Sequence, residues 1–179
     1  MILASKSPRR AKILSAMGID FTVEPTDAAE VSIPRAPKRT VLVNAARKLK
    51  ACRENHPQEE IVAADTIVWF NGRIYGKPSD LDEAKKFLRE LSGQTHSVFT
   101  GVAHCMPGQK LHAETVESKV KFKSLTEETI EEYVNKIKPV DRAGAYDVDE
   151  SGDLIIESYS GSYENIMGLP TEYLASIKR

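Results

Sequence analysis

The chain has 179 residues, of which 41% are hydrophobic and 28% are charged, which fits one globular domain over residues 1–179 and excludes fibrous and disordered proteins. Its 25 Lys and Arg residues and 26 Asp and Glu residues give a formal net charge of −1, so no overall field attracts the chain to nucleic acid or to an anionic membrane. Any anion-binding site must therefore be local.

Cysteine usage and hydropathy bear on the compartment. The two cysteines, Cys52 and Cys105, belong to no Cys-x-x-Cys motif, so neither a disulfide framework nor a zinc ribbon is expected. No stretch approaches the ~18 apolar residues of a membrane span, and the most apolar one, Ile61–Phe70, is interrupted by Asp65. We therefore expect a reduced, cytoplasmic protein that has neither a membrane nor a nucleic-acid partner.

The first third of the chain shows capping residues and helical periodicity. Ser7 is a favourable N-cap, Pro8 suits a first helical position, and Gly18 is placed to end that helix. Apolar residues recur at helical spacing between Leu42 and Cys52. In chain order, the prediction is a strand at 2–4, a helix at 8–17, a strand at 21–24, a polar loop at 25–37 and a helix at 40–54.

The remainder alternates strands with helices. The β-branched run Ile61–Phe70 is typical of a central strand, and Asn71 with Gly72 predicts a tight hairpin turn after it. Thr126 is a favourable N-cap. The predicted elements are strands at 61–70 and 73–75, a helix at 81–91 closed by Gly93, strands at 96–106 and 110–122, a helix after Thr126, a strand at 154–159 and a short helix after Pro170. We therefore expect an α/β protein with a mixed, twisted sheet and flanking helices.

The segment after the first strand carries groups that bind anions. Ser5 and Ser7 supply hydroxyls near a helix N-terminus, while Arg9 and Arg10 supply two forked cations that match phosphate geometry. The alternatives are a capped surface helix with solvated arginines, a kinase-type Ser-Pro site or a minor-groove element.

Asp65 is an unusual residue for a strand as apolar as Ile61–Phe70. A carboxylate there must be paired, bind a metal or face a cleft at a strand end, because an uncompensated buried charge is costly. The residue is either a structural ion-pair partner or a group that handles a metal or a water molecule.

Other polar residues carry weaker signals. Lys77 lies between Gly76 and Pro78, where it could neutralise phosphate charge or be an ordinary turn lysine. Lys48 and Glu30 are uninformative by themselves. The four histidines show no metal-ligand spacing, and neither common phosphate-loop motif is present.

Taken together, a set of ordered motifs closely resembles the Maf family of nucleoside triphosphate pyrophosphatases over nearly the full chain. The motifs are Leu3-Ala-Ser-Lys-Ser-Pro-Arg-Arg10, Ala64-Asp-Thr66, Gly76-Lys-Pro78, Leu91-Ser-Gly-Gln-Thr-His96, Asp141-Arg-Ala-Gly-Ala-Tyr146, Gly161-Ser-Tyr163 and Gly168-Leu-Pro170. The resemblance implies a two-lobed α/β fold, similar to inosine triphosphate pyrophosphatases, with the active site in a central cleft.

The activity implied by the resemblance is hydrolysis of a nucleoside triphosphate to the monophosphate and pyrophosphate with Mg²⁺ or Mn²⁺. Members that read Ser-Pro-Arg-Arg and Ala-Asp-Thr, as this chain does, typically act on dTTP and UTP. The alternative is a nucleotide-binding regulator of septum formation or cell division with little turnover. A homodimer is left open as the assembly.

The resemblance also assigns roles to the basic and hydroxyl side chains. Ser5, Arg9 and Arg10 match the phosphate-binding turn of the family. Lys48 and Lys77 match its catalytic basic residues.

The remaining assignments concern carboxylates and the choice of base. Asp65 matches the proposed general base and, with Glu30, the carboxylates that would hold the metal, while Arg10 and Thr66 match positions linked to substrate choice. The chain departs from the family at Asp149, where pyrimidine-type members usually carry a specificity glutamine.

We predict that Asp149→Gln sharpens selectivity for dTTP and UTP by about 1–3 kcal/mol, because a carboxylate only accepts hydrogen bonds whereas an amide both donates and accepts. Uracil and thymine present one N–H between two carbonyls, whereas cytosine carries an exocyclic amino group. The measurement is kcat/KM for dTTP, UTP and CTP in both proteins. Coinciding selectivity profiles would mean that Asp149 does not face the base.

Overall fold

The computed structural model describes residues 1–177 and shows an alternation of strands and helices. The strands are β1 (Ile2–Leu3), β2 (Thr22–Val23), β3 (Ile61–Phe70), β4 (Arg73–Tyr75), β5 (Thr95–Cys105), β6 (His112–Phe122) and β7 (Ile156–Ser160). The helices are α1 (Pro8–Ala16), α2 (Pro37–Asn55), α3 (Leu81–Leu91), α4 (Glu127–Ile137), α5 (Gly152–Ile155), α6 (Tyr163–Met167) and α7 (Thr171–Ile177), with a 3₁₀ turn at Ala143–Ala145.

The strands form one mixed sheet, as predicted. Its order is β2-β1-β3-β5-β6-β7, and β4 pairs with β3. β1 runs parallel to both β2 and β3, so that Ile2 lies opposite Thr22 and Ile61. β4 is antiparallel to β3 and β7 is antiparallel to β6. None of the helices within residues 1–177 combines the length and the apolarity needed to cross a bilayer.

Several element boundaries differ from the prediction by a few residues, and two short helices, α5 and α6, were not predicted. α2 begins at Pro37 rather than at residue 40, because proline is well tolerated in a first helical turn. The last strand begins at Ile156 rather than at residue 154, because Gly152–Ile155 form a helical turn after Ser151 adopts a left-handed φ of 57°. α6 was not predicted, since five residues are too few to show helical periodicity.

The chain divides into two compact units. The first contains Met1–Thr66, Phe99–Val116 and the chain from Tyr163 onward, and the second contains Ile67–Val98 and Glu117–Ser162. In the first unit, α2 packs on the strands through a buried cluster. Its members are Ile2, Ala4, Ala45, Leu49, Cys52, Ile61, Ala63, Ala103 and Cys105.

The core of the second unit includes a buried histidine. His96 Nε2 and the Tyr146 hydroxyl are 2.9 Å apart, and Phe122 contacts both rings edge-on with centroids 4.9 Å away. Burial lowers the pKa of the His96 imidazole from 6.5 to about 4. At neutral pH this histidine is therefore an uncharged core residue.

Gly101 lets α2 approach β5 closely. A Cβ built at Gly101 would lie 2.4 Å from the carbonyl oxygen of Val41, which is far inside van der Waals contact. The backbone of α2 therefore lies directly on β5 at this point. The close approach fixes the height of α2 over the strands of the first unit, and Asn44 and Lys48 follow Val41 on the same helix.

We predict that Gly101→Ala lowers the free energy of unfolding by about 1–3 kcal/mol, because the added methyl forces the backbone of α2 away from β5. Gly76→Ala is the matched control, since nothing lies within 4 Å of a Cβ built there. Urea unfolding followed by circular dichroism gives both values. Equal stability of the two variants would contradict the close approach.

Candidate active site

Asp65 lies in the middle of β3 with only 8% of its side chain exposed. Its Oδ1 accepts a hydrogen bond from Lys48 Nζ at 2.8 Å, and its Oδ2 accepts one from Asn44 Nδ2 at 3.0 Å. Each carboxylate oxygen thus has its own donor from α2. The two donors compensate the loss of hydration that burial imposes on a negative charge.

Lys48 connects Asp65 to a second carboxylate. Its Nζ lies 2.6 Å from Glu30 Oε1, and 52% of the Glu30 side chain is exposed while only 13% of the Lys48 side chain is. Lys48 Nζ thus bridges the two carboxylates. Asp65, Lys48 and Glu30, which only the family resemblance connected in the sequence, therefore form one charged cluster.

The long polar loop before α2 lies along one face of that helix, which is how Glu30 reaches the cluster. Three side chains of α2 hydrogen-bond to the backbone of this loop. They are spaced three or four residues apart, so they project from the same face of the helix. The contacts are Ile33 N with Thr40 Oγ1 at 3.0 Å, Val31 N with Asn44 Oδ1 at 2.8 Å, and Arg47 Nη1 with the Ala29 carbonyl at 3.1 Å.

The turn between β1 and α1 is organised by Ser5. Its Oγ accepts from the backbone N–H of Ser7 at 3.2 Å and from Arg10 Nη1 at 2.9 Å. Ser7 occupies the N-cap position, as predicted, but its side chain makes no capping hydrogen bond. Arg9 lies in the first turn of α1 and is half-buried.

Arg10 begins a directed chain of hydrogen bonds. The carbonyl of Asn165 accepts from Thr100 Oγ1 at 3.0 Å, which uses the one hydroxyl proton of Thr100. Thr100 Oγ1 therefore accepts from Thr66 Oγ1 at 2.9 Å, and Thr66 Oγ1 accepts from Arg10 Nη2 at 3.0 Å. The Thr66 hydroxyl is thereby fixed in direction by its neighbours.

Gly168 completes this network. Its carbonyl accepts from Arg10 Nε at 2.8 Å, and its φ of +107° is a backbone conformation that residues other than glycine rarely adopt. A Cβ at Gly168 would lie 3.1 Å from Thr66 Oγ1. Burial lowers the pKa of Arg10 from 12.5 to about 10, although nearby Asp65 favours the charged guanidinium, so Arg10 remains a cation at neutral pH.

Lys77 belongs to the second unit, in the segment after β4. Its side chain is exposed, while its flanks are held: Pro78 is buried, and the Gly76 carbonyl accepts from the Gly144 N–H at 3.0 Å. The lysine thus projects from a fixed turn. That it acts together with the cluster around Asp65 stays a prediction.

Asp149, also in the second unit, lies on a turn organised by a buried carboxylate. Asp147 Oδ1 accepts from the backbone N–H groups of Asp149 at 2.8 Å and Glu150 at 3.2 Å. Asp147 Oδ2 accepts from Arg142 Nε at 2.9 Å, and Arg142 Nη2 also binds Glu150 at 2.9 Å. The acidic residues around Asp149 therefore form an ion-paired turn that carries the exposed Asp149 side chain.

Glu30 and Asp65 are the predicted ligands of a divalent metal, and both belong to the cluster held by Lys48. Within residues 1–177, no group of three or more His, Cys, Asp or Glu side chains is arranged to hold a metal ion. Mg²⁺ usually binds through one or two carboxylates together with water and substrate phosphates. Two hard carboxylates joined by one lysine fit that mode of binding.

Three residues in this description escaped sequence reasoning: Asn44, Thr100 and Asp147. Asn44 precedes Lys48 by four positions, so the helical period places both on one face. A predicted contact between Lys48 and Asp65 would therefore have pointed to Asn44 as well. Thr100 lies in β5 and carries no local signal, because its partner is 34 residues away in sequence. Asp147 is one member of an acidic run that sequence patterns assign to solvent.

The sequence of the chain is similar to those of proteins from one known family. The profile of the Maf-like protein family matches residues 1–178. A dTTP/UTP pyrophosphatase from Dictyoglomus thermophilum is 41% identical over 180 residues, covering 99% of this chain and 93% of the relative. Another dTTP/UTP pyrophosphatase, from Akkermansia muciniphila, is 42% identical over 174 residues, covering 95% of this chain and 90% of the relative.

Among solved structures, the Ham1 protein of Staphylococcus aureus has a similar fold. The TM-score is 0.51 at 15% sequence identity, and the match covers 69% of this chain and 71% of that protein. This similarity and the sheet topology confirm the predicted mixed α/β fold.

We predict that Asp65→Asn lowers the free energy of unfolding by about 1–3 kcal/mol, because the new amide nitrogen would face a donor, either Lys48 Nζ or Asn44 Nδ2. Asp20→Asn is the matched control, since Asp20 is exposed. The measurement is urea unfolding at pH 7. An unchanged midpoint and slope in Asp65→Asn would show that the two hydrogen bonds contribute nothing to stability.

Proposed function

The chain belongs to the Maf family, and we propose that it hydrolyses dTTP and UTP to the nucleoside monophosphate and pyrophosphate. The observation that carries the proposal is the charged cluster of Asp65, Lys48 and Glu30, a buried carboxylate held by one ammonium and one amide beside a second, exposed carboxylate. The dTTP/UTP pyrophosphatases named above, each more than 40% identical over nearly the whole chain, support the substrate class. A nucleotide-binding regulator without turnover is not favoured.

In the proposed mechanism Asp65 orients the attacking water and accepts its proton. An ionised carboxylate can accept about four hydrogen bonds, so one to Lys48 and one to Asn44 leave acceptor sites for water. Burial keeps competing solvent away from this oxygen pair. The fixed orientation of the carboxylate removes the need to reorganise it in the transition state.

The basic residues act on the phosphates. Lys48 and Lys77 would stabilise the charge that develops on the leaving pyrophosphate, and Arg9 with the turn at Ser5 would hold the triphosphate. Arg10 donates three of its five N–H groups to protein acceptors, so the phosphates would meet the remaining two. Arg10 would thus both bind the phosphates and stabilise the turn between β1 and α1.

Mg²⁺ or Mn²⁺ would be held by Glu30 and Asp65. Such an ion neutralises phosphate charge and makes the phosphorus easier to attack. Lys48 would keep the two carboxylates apart and correctly oriented for it. Glu30 is the more exposed of the two carboxylates, with 52% of its side chain exposed.

Substrate choice would depend on Thr66 and Asp149. The Thr66 hydroxyl gives its proton to Thr100 and receives one from Arg10, so its direction is set before substrate arrives. Asp149 would present a carboxylate on the turn that Asp147 holds. We also propose a cytoplasmic location, where the free thiols of Cys52 and Cys105 would stay reduced. Homodimer assembly stays a prediction from the family resemblance.

The activity is tested by incubating the purified protein with dTTP or UTP and Mg²⁺ or Mn²⁺ in ¹⁸O-labelled water. We expect pyrophosphate and the monophosphate in equal amounts, with the label in one of the two products identifying the phosphorus that water attacks. Release of orthophosphate alone from pure substrate would show that the bond between the α and β phosphates is not the one cleaved.

The proposed role of Asp65 is tested in the same assay. Asp65→Asn should lose more than about 100-fold in kcat, the lower end of what a general base contributes, while Asp20→Asn keeps wild-type turnover. Circular dichroism establishes that each variant is folded at the assay temperature. Near-normal kcat in a folded Asp65→Asn protein would make Asp65 a structural residue.

A further inference from the structure

We propose that Asn44 is the positioning residue of Asp65: one buried amide fixes the rotation of the carboxylate and joins it to the loop that carries Glu30. The inference rests on the proposed function for the role of Asp65, and on hydrogen-bond geometry for the role of Asn44. Asn44 is buried, and each polar atom of its side chain has a partner.

The orientation of the Asn44 amide is determined by its partners. The Val31 N–H donates to Oδ1 at 2.8 Å, and Nδ2 donates to the Val31 carbonyl at 3.0 Å. Since a backbone N–H needs an acceptor and a backbone carbonyl needs a donor, the amide cannot be flipped without losing both. The second N–H of Nδ2 is therefore directed at Asp65 Oδ2, at 3.0 Å.

This contact sets the rotation of the Asp65 carboxylate. Lys48 holds Oδ1 through a flexible four-carbon stem, so it can follow the carboxylate as it turns. Asn44 has a short side chain bound to Val31 on both sides, and it cannot follow. Rotation of the carboxylate is thus opposed by Asn44 more than by Lys48.

The same amide couples the two carboxylates of the cluster. Val31 is the neighbour of Glu30 in the chain, so the paired hydrogen bonds at Val31 fix the backbone from which Glu30 projects. A group that binds both Glu30 and Asp65, such as Mn²⁺, therefore meets two carboxylates whose separation depends on Asn44.

A comparison within α2 separates this role from a merely structural one. Thr40 lies one turn before Asn44 and holds the same loop, since Ile33 N donates to Thr40 Oγ1 at 3.0 Å, but none of its hydrogen bonds reaches Asp65. Thr40→Val removes a hydroxyl without changing the shape of the side chain. It therefore loosens the loop and leaves the direct contacts of Asp65 in place.

The experiment compares Asn44→Leu, Asn44→Asp and Thr40→Val with the wild-type protein. We expect kcat for dTTP to fall about 10- to 100-fold in both Asn44 variants, the range seen for residues that orient catalytic ligands, with KM changed less than about threefold. Thr40→Val should stay within about twofold of wild type in both constants. Equal effects of Asn44→Asp and Thr40→Val would overturn the proposal and make Asn44 a loop anchor only.

Two controls keep the result interpretable. Asn44→Leu leaves the Val31 N–H and carbonyl without partners, which destabilises the fold, whereas Asn44→Asp keeps an acceptor for that N–H. Asn44→Asp replaces the donor to Asp65 with a second negative charge, which repels the Asp65 carboxylate instead of holding it. Mn²⁺ binding followed by electron paramagnetic resonance requires no turnover. A Kd at least about tenfold weaker in folded Asn44→Leu than in Thr40→Val supports the proposal, and equal values contradict it.

The readouts distinguish this proposal from the proposed function. Absence of pyrophosphate from the wild-type reaction would reject the pyrophosphatase activity, and the Mn²⁺ affinities would still decide whether Asn44 sets the carboxylates. Wild-type activity together with unchanged kcat in folded Asn44→Asp would reject the role of Asn44 alone.

Discussion

The arrangement of the first unit depends on one constraint, the burial of a negative charge in β3. An ionised carboxylate in the middle of an apolar strand is unstable unless charged or polar donors replace its lost hydration. Lys48 and Asn44 supply those donors from one face of α2. That supply requires α2 to lie close to the strands, which the absence of a side chain at Gly101 allows. Packing and electrostatics thus determine the same helix position.

The opposite face of β3 carries a second polar network, which joins hydroxyl groups to the Arg10 guanidinium. Consecutive side chains of a strand point to opposite faces, so Thr66 is directed away from the cluster of its neighbour Asp65. Its hydroxyl lies in a chain of hydrogen bonds in which every proton has a defined direction, from Arg10 to the carbonyl of Asn165. Such a chain is rigid, because turning one hydroxyl would break two hydrogen bonds. Two adjacent residues therefore belong to two different networks, the carboxylate cluster at Asp65 and the hydroxyl chain at Thr66.

In the second unit, acidic residues that look unfavourable in sequence compensate one another in space. Asp147 accepts from two backbone N–H groups and from Arg142, and Arg142 also binds Glu150. An acidic run of this kind would repel itself in an extended chain, but here one guanidinium and the turn geometry offset the repulsion. The turn before α5 is consequently held by the pairing of these side chains.

Strands, turns and helix caps that depend on short sequence patterns could be predicted from the sequence alone. The β-branched run of β3, the Asn71–Gly72 turn and the cap at Thr126 depend on neighbours within a few residues, and the strands and helices that follow from them are present. Asp65 stood out because a charge inside an apolar strand is unusual in any fold. The ordered motifs identified the family for the same reason, since each is a short stretch of chain.

Which side chains contact one another became evident from the three-dimensional structure alone. The partners of Asp65 lie 17 and 21 residues away in sequence, and Thr100 lies 34 residues from Thr66, so no periodicity could link them. Ser7 occupies the N-cap position that its type and place in the sequence predicted, but its side chain makes no capping hydrogen bond, while its N–H donates to the Ser5 hydroxyl. Asn44 looks like an ordinary polar helix residue until α2 is laid on β3. Hydrogen bonds are short and directional, so long-range packing alone determines which of the available donors a buried acceptor receives.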